Sequence, residues 1–162
     1  MIQNIEIIRK TDNFYKLVNS HTKTEYEIMT PRFTLPFGLE EYKYHGKTNY
    51  FIKLDLDNDK FKNKIEEFER DLINKVSEQT GKTYYCKSQI IYSDDSQYKD
   101  KLLVKIKQNY GKIITKCLNR QTEITIFDLK KNDMVMVFMT PSIYIDNEDN
   151  FIIKWSAKKI FA

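Results

Sequence analysis

The chain has 162 residues, enough to close one core and too few for a second large domain. It is 41% hydrophobic and 31% charged, with four Gly and three Pro, which excludes a disordered, collagen-like or low-complexity chain. The net charge of +4 neither demands nor excludes a nucleic-acid partner, so the distribution of charge has to decide.

From the N-terminus, Ile2 to Ile8 and Phe14 to Val18 read as short strands broken by Lys10-Thr11-Asp12-Asn13, a hairpin. Thr30 to Gly38 carries two prolines and reads as an extended edge or loop. Asn49 to Leu56 alternates: Tyr50, Ile52, Leu54 and Leu56 face one way, Phe51, Lys53 and Asp55 the other. One helix follows. Phe61, Ile65, Phe68, Leu72 and Val76 fall on one stripe, Asp57, Asn58 or Asp59 can cap its start, and Gly81 can end it in the left-handed region. The expected span is Asp59 to Thr80.

Strands then resume at Thr83 to Tyr92, Leu102 to Gln108, Ile113 to Leu118, Glu123 to Phe127, Met134 to Ile145 and Phe151 to Phe161. Asn109 to Lys112 and Asp146 to Asn150 read as turns. With no repeat and no linker, residues 1–162 form one domain, with 1–29 as N-terminal strands or an extension. Many short strands and one long helix predict a mostly β, α+β fold on a small antiparallel barrel or sandwich.

Cys86 and Cys117 lack metal-ligand spacing and read as reduced thiols. Met1 to Glu6 lacks the basic and apolar regions of a signal peptide, and no apolar run suits a membrane span. The expectation is an intracellular, non-secreted protein without a membrane partner.

Only Arg9, Arg32, Arg70 and Arg120 are arginines, and Ile, Asn, Lys, Tyr and Phe are all abundant. That bias follows AT-rich codons, so lysine content alone carries no functional weight. Its placement does. Residues 82–131 hold 11 basic and 5 acidic side chains, residues 132–149 four acidic and no basic ones, and residues 150–162 three basic and no acidic ones. Alternation puts Lys105 and Lys107 on one strand face, and Lys154, Ser156 and Lys158 on one face of the last strand. Lys112 and Lys116 flank the next turn. These six lysines are the candidate phosphate contacts, and Tyr84, Tyr92 and Tyr110 the candidate base-stacking residues. The competing reading is a solvated sheet face. Trp155, Phe61, Phe68 and Phe37 read as packed inside, with Phe33 open.

Nothing points to catalysis or a cofactor. His21 and His45 lie in polar turns outside any metal-binding or nucleophile motif. Four glycines cannot supply a phosphate loop or dinucleotide fingerprint as well as the turns. Asp55 to Asp59 has Lys60 where a calcium loop needs glycine, and reads as a strand end and helix cap. Glu41-Tyr42-Lys43 and Asp128-Leu129-Lys130 have a nuclease-like shape without a partner aspartate.

Two stretches carry a resemblance. Pro31-Arg32-Phe33-Thr34-Leu35-Pro36-Phe37-Gly38 is followed by Lys47 to Leu56 and the helix opening at Phe61. Asp128 to Pro141, Ile143-Tyr144-Ile145 and Phe151 to Ile160 close the chain. Over residues 30–161 the chain resembles the single-stranded DNA-binding proteins of nucleocytoplasmic large DNA viruses, which are distantly similar to the replication proteins of short-tailed phages. The resemblance implies an OB-type barrel with the helix inserted between strands. It implies sequence-independent binding of single-stranded DNA, with RNA left open, in viral DNA replication, recombination or repair. It places the protein at a viral replication site in the host cytoplasm or in the virion, with a homodimer and replication proteins as further partners. The phage relatives end in an acidic tail, whereas this sequence ends Lys158-Lys159-Ile160-Phe161-Ala162, which puts tail-mediated recruitment in doubt. The alternatives are a protein-interaction or virion-structural module on the same scaffold, and a small metal-dependent nuclease.

Overall fold

The computed structural model describes residues 4–162. The first hairpin pairs β1 (Ile5–Thr11) with β2 (Phe14–Asn19), turning at Asp12 and Asn13 as expected; Ile2 and Gln3 lie outside the described residues. Two short strands follow, β3 (Ile28–Met29) and β4 (Phe33–Thr34), then a hairpin of β5 (Glu40–Tyr44) and β6 (Lys47–Asp55). Helix α1 spans Asp59–Thr80. The stretch expected as one strand from Thr83 to Tyr92 is two, β7 (Tyr85–Lys87) and β8 (Ile90–Ile91), because its halves pair with different neighbours. Then come β9 (Lys101–Ile106), a small hairpin of β10 (Gln108–Asn109) and β11 (Lys112–Ile113), and a second of β12 (Lys116–Asn119) and β13 (Thr122–Ile124). A short 3-10 turn at Ile126–Asp128 replaces the end of the strand expected there, closed by the Asp128 carboxylate, which accepts from the Thr125 N–H at 2.9 Å. The long strands β14 (Met134–Ile145) and β15 (Asn150–Phe161) finish the chain.

The fold is therefore mostly β with one helix and a large sheet. Its order is β1-β2-β14-β15-β9-β6-β5, with the short strands attached along β14, β15 and β9. β15 is the axis of the sheet. Its first third pairs in parallel with β7, its middle with β9 and its end with β12, while β14 runs antiparallel along its whole length. Where β9 leaves β15, Thr115 ties the break: its hydroxyl donates to the Ala157 carbonyl at 2.6 Å and accepts from the Lys107 N–H at 2.8 Å.

The helix forms for local reasons and is held by packing. Asn58 caps its first turn by accepting from the Phe61 N–H at 2.9 Å, and Gly81 ends it at φ 71° with its N–H on the Ser77 carbonyl. The predicted stripe is buried, and Phe68 meets Trp155 with ring centroids 5.5 Å apart. Leu17, Ile52, Leu54, Val104, Ile143 and Ile153 join this core from the same sheet face. The strand period then commits the alternate residues to the other face, which no helix covers.

Phe37 corrects an expectation. It is 49% exposed, whereas Phe33 and Leu35, just before Pro36, are fully buried. The tight turn at 35–38 makes the difference. Leu35 locks onto the segment at 132–133, donating to the Asp133 carbonyl at 2.8 Å and accepting from the Asn132 N–H at 2.7 Å. Gly38 is positive in φ and approaches the backbone of Lys130 and Lys131 more closely than any Cβ tolerates. Turning the chain there rotates Phe37 outward, beneath Lys53 and Lys101.

Candidate nucleic-acid interface

Register fixes what the uncovered face presents. Lys16 lies opposite Ser142, and Ser142 opposite Lys154, so β2, β14 and β15 contribute one row. Ser156 lies opposite Lys105, Lys105 opposite Phe51, and Phe51 opposite Glu40, so β15, β9, β6 and β5 contribute the next. Side chains directly opposite on one face lie about 5 Å apart at Cβ, so each row is a line of neighbours.

Three depressions run across this face. The central one, about 310 Å³, is lined by Tyr42, Phe51, Gln89, Leu103, Lys105, Lys154 and Trp155. It sits where β15 and β9 part and the segment between β7 and β8 enters, with the Gln89 carbonyl accepting from the Leu103 N–H at 3.0 Å. A second, about 790 Å³, shares Lys105 and extends past Lys47, Tyr50 and Asn109 to Tyr110. The third, about 190 Å³, lies toward β14 and is lined by Phe14, Lys16, Glu25, Lys107, Ser142 and Ser156 among others.

The charges in the central depression lack counterions. Among the described residues neither Lys105 nor Lys154 forms an ion pair, whereas eight pairs occupy other side chains. Lys154 is half-buried, and its ammonium is held below the ordinary lysine range, first by loss of solvent and then by the Lys105 charge. Its Nζ stands 4.5 Å from the Tyr144 ring centroid, and that ring packs on Phe14 at 4.8 Å. Two like charges beside an apolar floor favour an anion between them.

The six lysines proposed from the strand pattern thus divide. Lys105 and Lys154 come together in the central depression. Lys107 and Lys158 lie on the same face but are neutralised, by Glu25 at 3.1 Å and Glu27 at 3.0 Å. Lys112 stands opposite Asn109 beside Tyr110. Lys116 pairs with Lys159 at the far end of β15 and lines none of the three depressions.

The tyrosines divide as well. Tyr110 is fully exposed, at φ 51° with Gly111 at φ 79°. Both turn residues in the left-handed region give the two-residue hairpin turn that matches strand twist, and a bulky side chain there is uncommon. Tyr84 is away from the face: its ring meets Phe151 at 5.8 Å, and its hydroxyl donates to Thr80 Oγ1 at 2.9 Å. Tyr92 is tethered to α1, donating to Glu66 at 2.8 Å under the Lys62 ammonium. Burial and the Glu66 carboxylate push its hydroxyl pKa well up.

Phe51, Tyr42, Lys16, Phe14 and Tyr144 are the residues that reasoning from sequence missed. The signal for Phe51 was present, since the alternation from Asn49 to Leu56 sets it apart from Ile52 and Leu54. What was lacking was the pairing of β6 with β9, which lays it beside Lys105.

The remaining chemistry is structural. Asp100 accepts from the Lys62 ammonium at 2.7 Å and from the Ser93 N–H at 2.8 Å, which hold its carboxyl below the usual range. Both cysteines are unpaired, and burial pushes each thiol up to about 11, Cys86 with help from the neighbouring Glu69. Among the described residues no group of three or more His, Cys, Asp or Glu side chains is placed to hold a metal ion. Within the same residues no helix is long and apolar enough to cross a membrane. Comparison with protein-family models, with curated proteins and with solved structures finds no match for this chain.

Proposed function

We propose that the protein binds single-stranded DNA, without reading sequence, along the uncovered sheet face, and that it is a binding protein and not an enzyme. The observation that carries this reading is the pair Lys105 and Lys154, two cations without counterions beside the Phe51 and Tyr42 rings. A phosphate between the two ammonium groups would relieve their repulsion and favour the charged form of Lys154 that burial and Lys105 disfavour. Aromatic rings next to it offer stacking to a base, and every base has a face to stack, so the contact is indifferent to sequence. A duplex keeps its base faces covered, which favours a single strand. From there the second depression leads past Lys47 and Tyr50 to the exposed Tyr110 ring, a further stacking position.

This reading takes the β-rich sheet as an OB-type barrel and the protein as a factor in viral DNA replication, recombination or repair, as the resemblance implies. The helix inserted between β6 and β7 is the feature this reading draws on; among the described residues β1 and β5 end the strand order and do not pair with each other. Fluorescence-polarisation titration of labelled oligo(dT), a hairpin duplex of equal length and oligo(U) tests the reading. Binding that prefers the single strand and weakens with added salt is expected. Preference for duplex, or binding insensitive to salt, overturns it.

One observation favours a second reading, a protein-interaction module. Before Thr140 the same side of β14 turns apolar: Met29, about half exposed, lies opposite Phe138, whose ring stands 5.5 Å from that of Phe161, and Met134, also about half exposed, begins the strand. If oligonucleotides fail to bind, this patch is the surface to examine.

A further inference from the structure

The segment between β2 and β3 runs along the edge of β14 that β15 leaves open, from the pairing with β2 at 142–144 to the pairing with β3 at 138–139, and carries Glu25, Tyr26 and Glu27. Tyr26 is its anchor. Its N–H donates to the Leu17 carbonyl at 3.0 Å, and its ring lies nearly parallel to Phe68 of α1, 5.7 Å away and tilted by 9°. With Tyr26 directed into the core, the residues on either side reach outward. Glu25 meets the Lys107 ammonium at 3.1 Å and Glu27 the Lys158 ammonium at 3.0 Å. The strap is fixed further by the Asn19 N–H on the Thr24 carbonyl at 2.8 Å and by a β-bridge between Val18 and Glu25.

The uncovered face therefore holds Lys105 and Lys154 without counterions, while next to the strap Lys107 and Lys158 are already occupied by carboxylates; among the described residues Lys16 on β2, which also lines the third depression, has no such partner. We propose that Glu25 and Glu27 act as built-in phosphate mimics that end the single-strand track at Ser156, and so set the length of DNA that one protomer covers. This rests on the reading that the face binds single-stranded DNA. A phosphate approaching Lys107 or Lys158 meets a carboxylate already in place. Those lysines release no counterion on binding and add nothing to its salt dependence. The track must instead run the other way, from Lys154 past Lys105 toward Tyr110.

The test is Glu25→Gln/Glu27→Gln, which keeps the shape of both side chains and removes the negative charge. Binding of labelled oligo(dT) of graded lengths is measured across a salt series, beside the wild type. For single strands log K falls with log salt with a slope of about 0.7 per phosphate contacted, so freeing two lysines should steepen the slope by about 1.4. The shortest oligonucleotide that reaches full affinity should lengthen as well. In a companion test, Lys107→Gln/Lys158→Gln added to the glutamine pair should return the slope to the wild-type value, whereas Lys105→Gln in the wild type should lower it. If the wild type binds and the glutamine variant keeps both its slope and its minimum length, the inference falls and the proposed function stands. If neither protein binds, both fall. If only the glutamine variant binds, the mimicry is upheld and the native face is self-blocked.

Discussion

Replacing Lys154 by alanine should weaken single-strand binding about tenfold or more, and the size follows from its surroundings. A hydrogen bond to a charged group is worth about 1.5–3 kcal/mol when its partner would otherwise be left unpaired, a factor of about ten or more. Lys154 is half-buried over the Tyr144 ring, so the contact forms away from bulk water, and loss of the residue also removes the repulsion with Lys105 that a bound phosphate would relieve. The lower end of the range is therefore a floor. The salt slope should shrink by about 0.7, the share of one phosphate. Lys105→Ala should act similarly. The double variant should lose less than the product of the singles, because the two ammonium groups oppose each other in the free protein. Polarisation titrations at three or more salt concentrations read affinity and slope together, and a thermal melt of each variant checks that the fold is intact. An unchanged slope in the double variant would refute the reasoning, whatever happened to affinity at one salt concentration.

Phe51→Leu should cost about 1–3 kcal/mol of binding if the ring stacks a base, while Tyr84→Phe should leave binding unchanged; the same titration separates them. Gly38→Ala should destabilise the fold by about 2 kcal/mol or more in urea unfolding. At φ +65° the added Cβ would stand 2.8 Å from the Lys131 nitrogen. Gly46→Ala, at φ +75° in open space, should cost about 1 kcal/mol. Glu69 is buried, and desolvation raises its carboxyl pKa despite the Ser88 hydroxyl donating to it at 2.9 Å. A folded pKa above the unfolded one means that stability is lost as pH rises from the unfolded pKa through the folded one. Glu69→Gln should therefore melt higher than wild type at neutral pH, with the difference vanishing in acid below the ordinary glutamate pKa.

What could be read from the sequence was local. The stripe from Phe61 to Val76 and its caps at Asn58 and Gly81 depend on spacings of a few residues, and helix α1 has the expected bounds. The turn at Tyr110 and Gly111 and the alternation in β6 and β9 are also short-range features. The site is not local. Lys105 and Lys154 become neighbours only because β15 runs parallel to β9, a pairing that alternation within either strand cannot reveal. Likewise, Lys107 and Lys158 looked free, and their partners Glu25 and Glu27 lie 82 and 131 residues away along the chain. Phe37 was misread because a turn locked by the distant segment at 130–133, and not its apolar character, sets its direction.

The most direct test of the central claim is to map the bound strand on the protein. In ¹⁵N–¹H spectra recorded during titration with oligo(dT), the account predicts that amides of Phe51, Lys105 and Lys154, together with Tyr42 and Tyr110, shift and saturate together, while those on the exposed face of α1 stay in place. Shifts confined to α1, or to the apolar patch around Met29 and Met134, would contradict it.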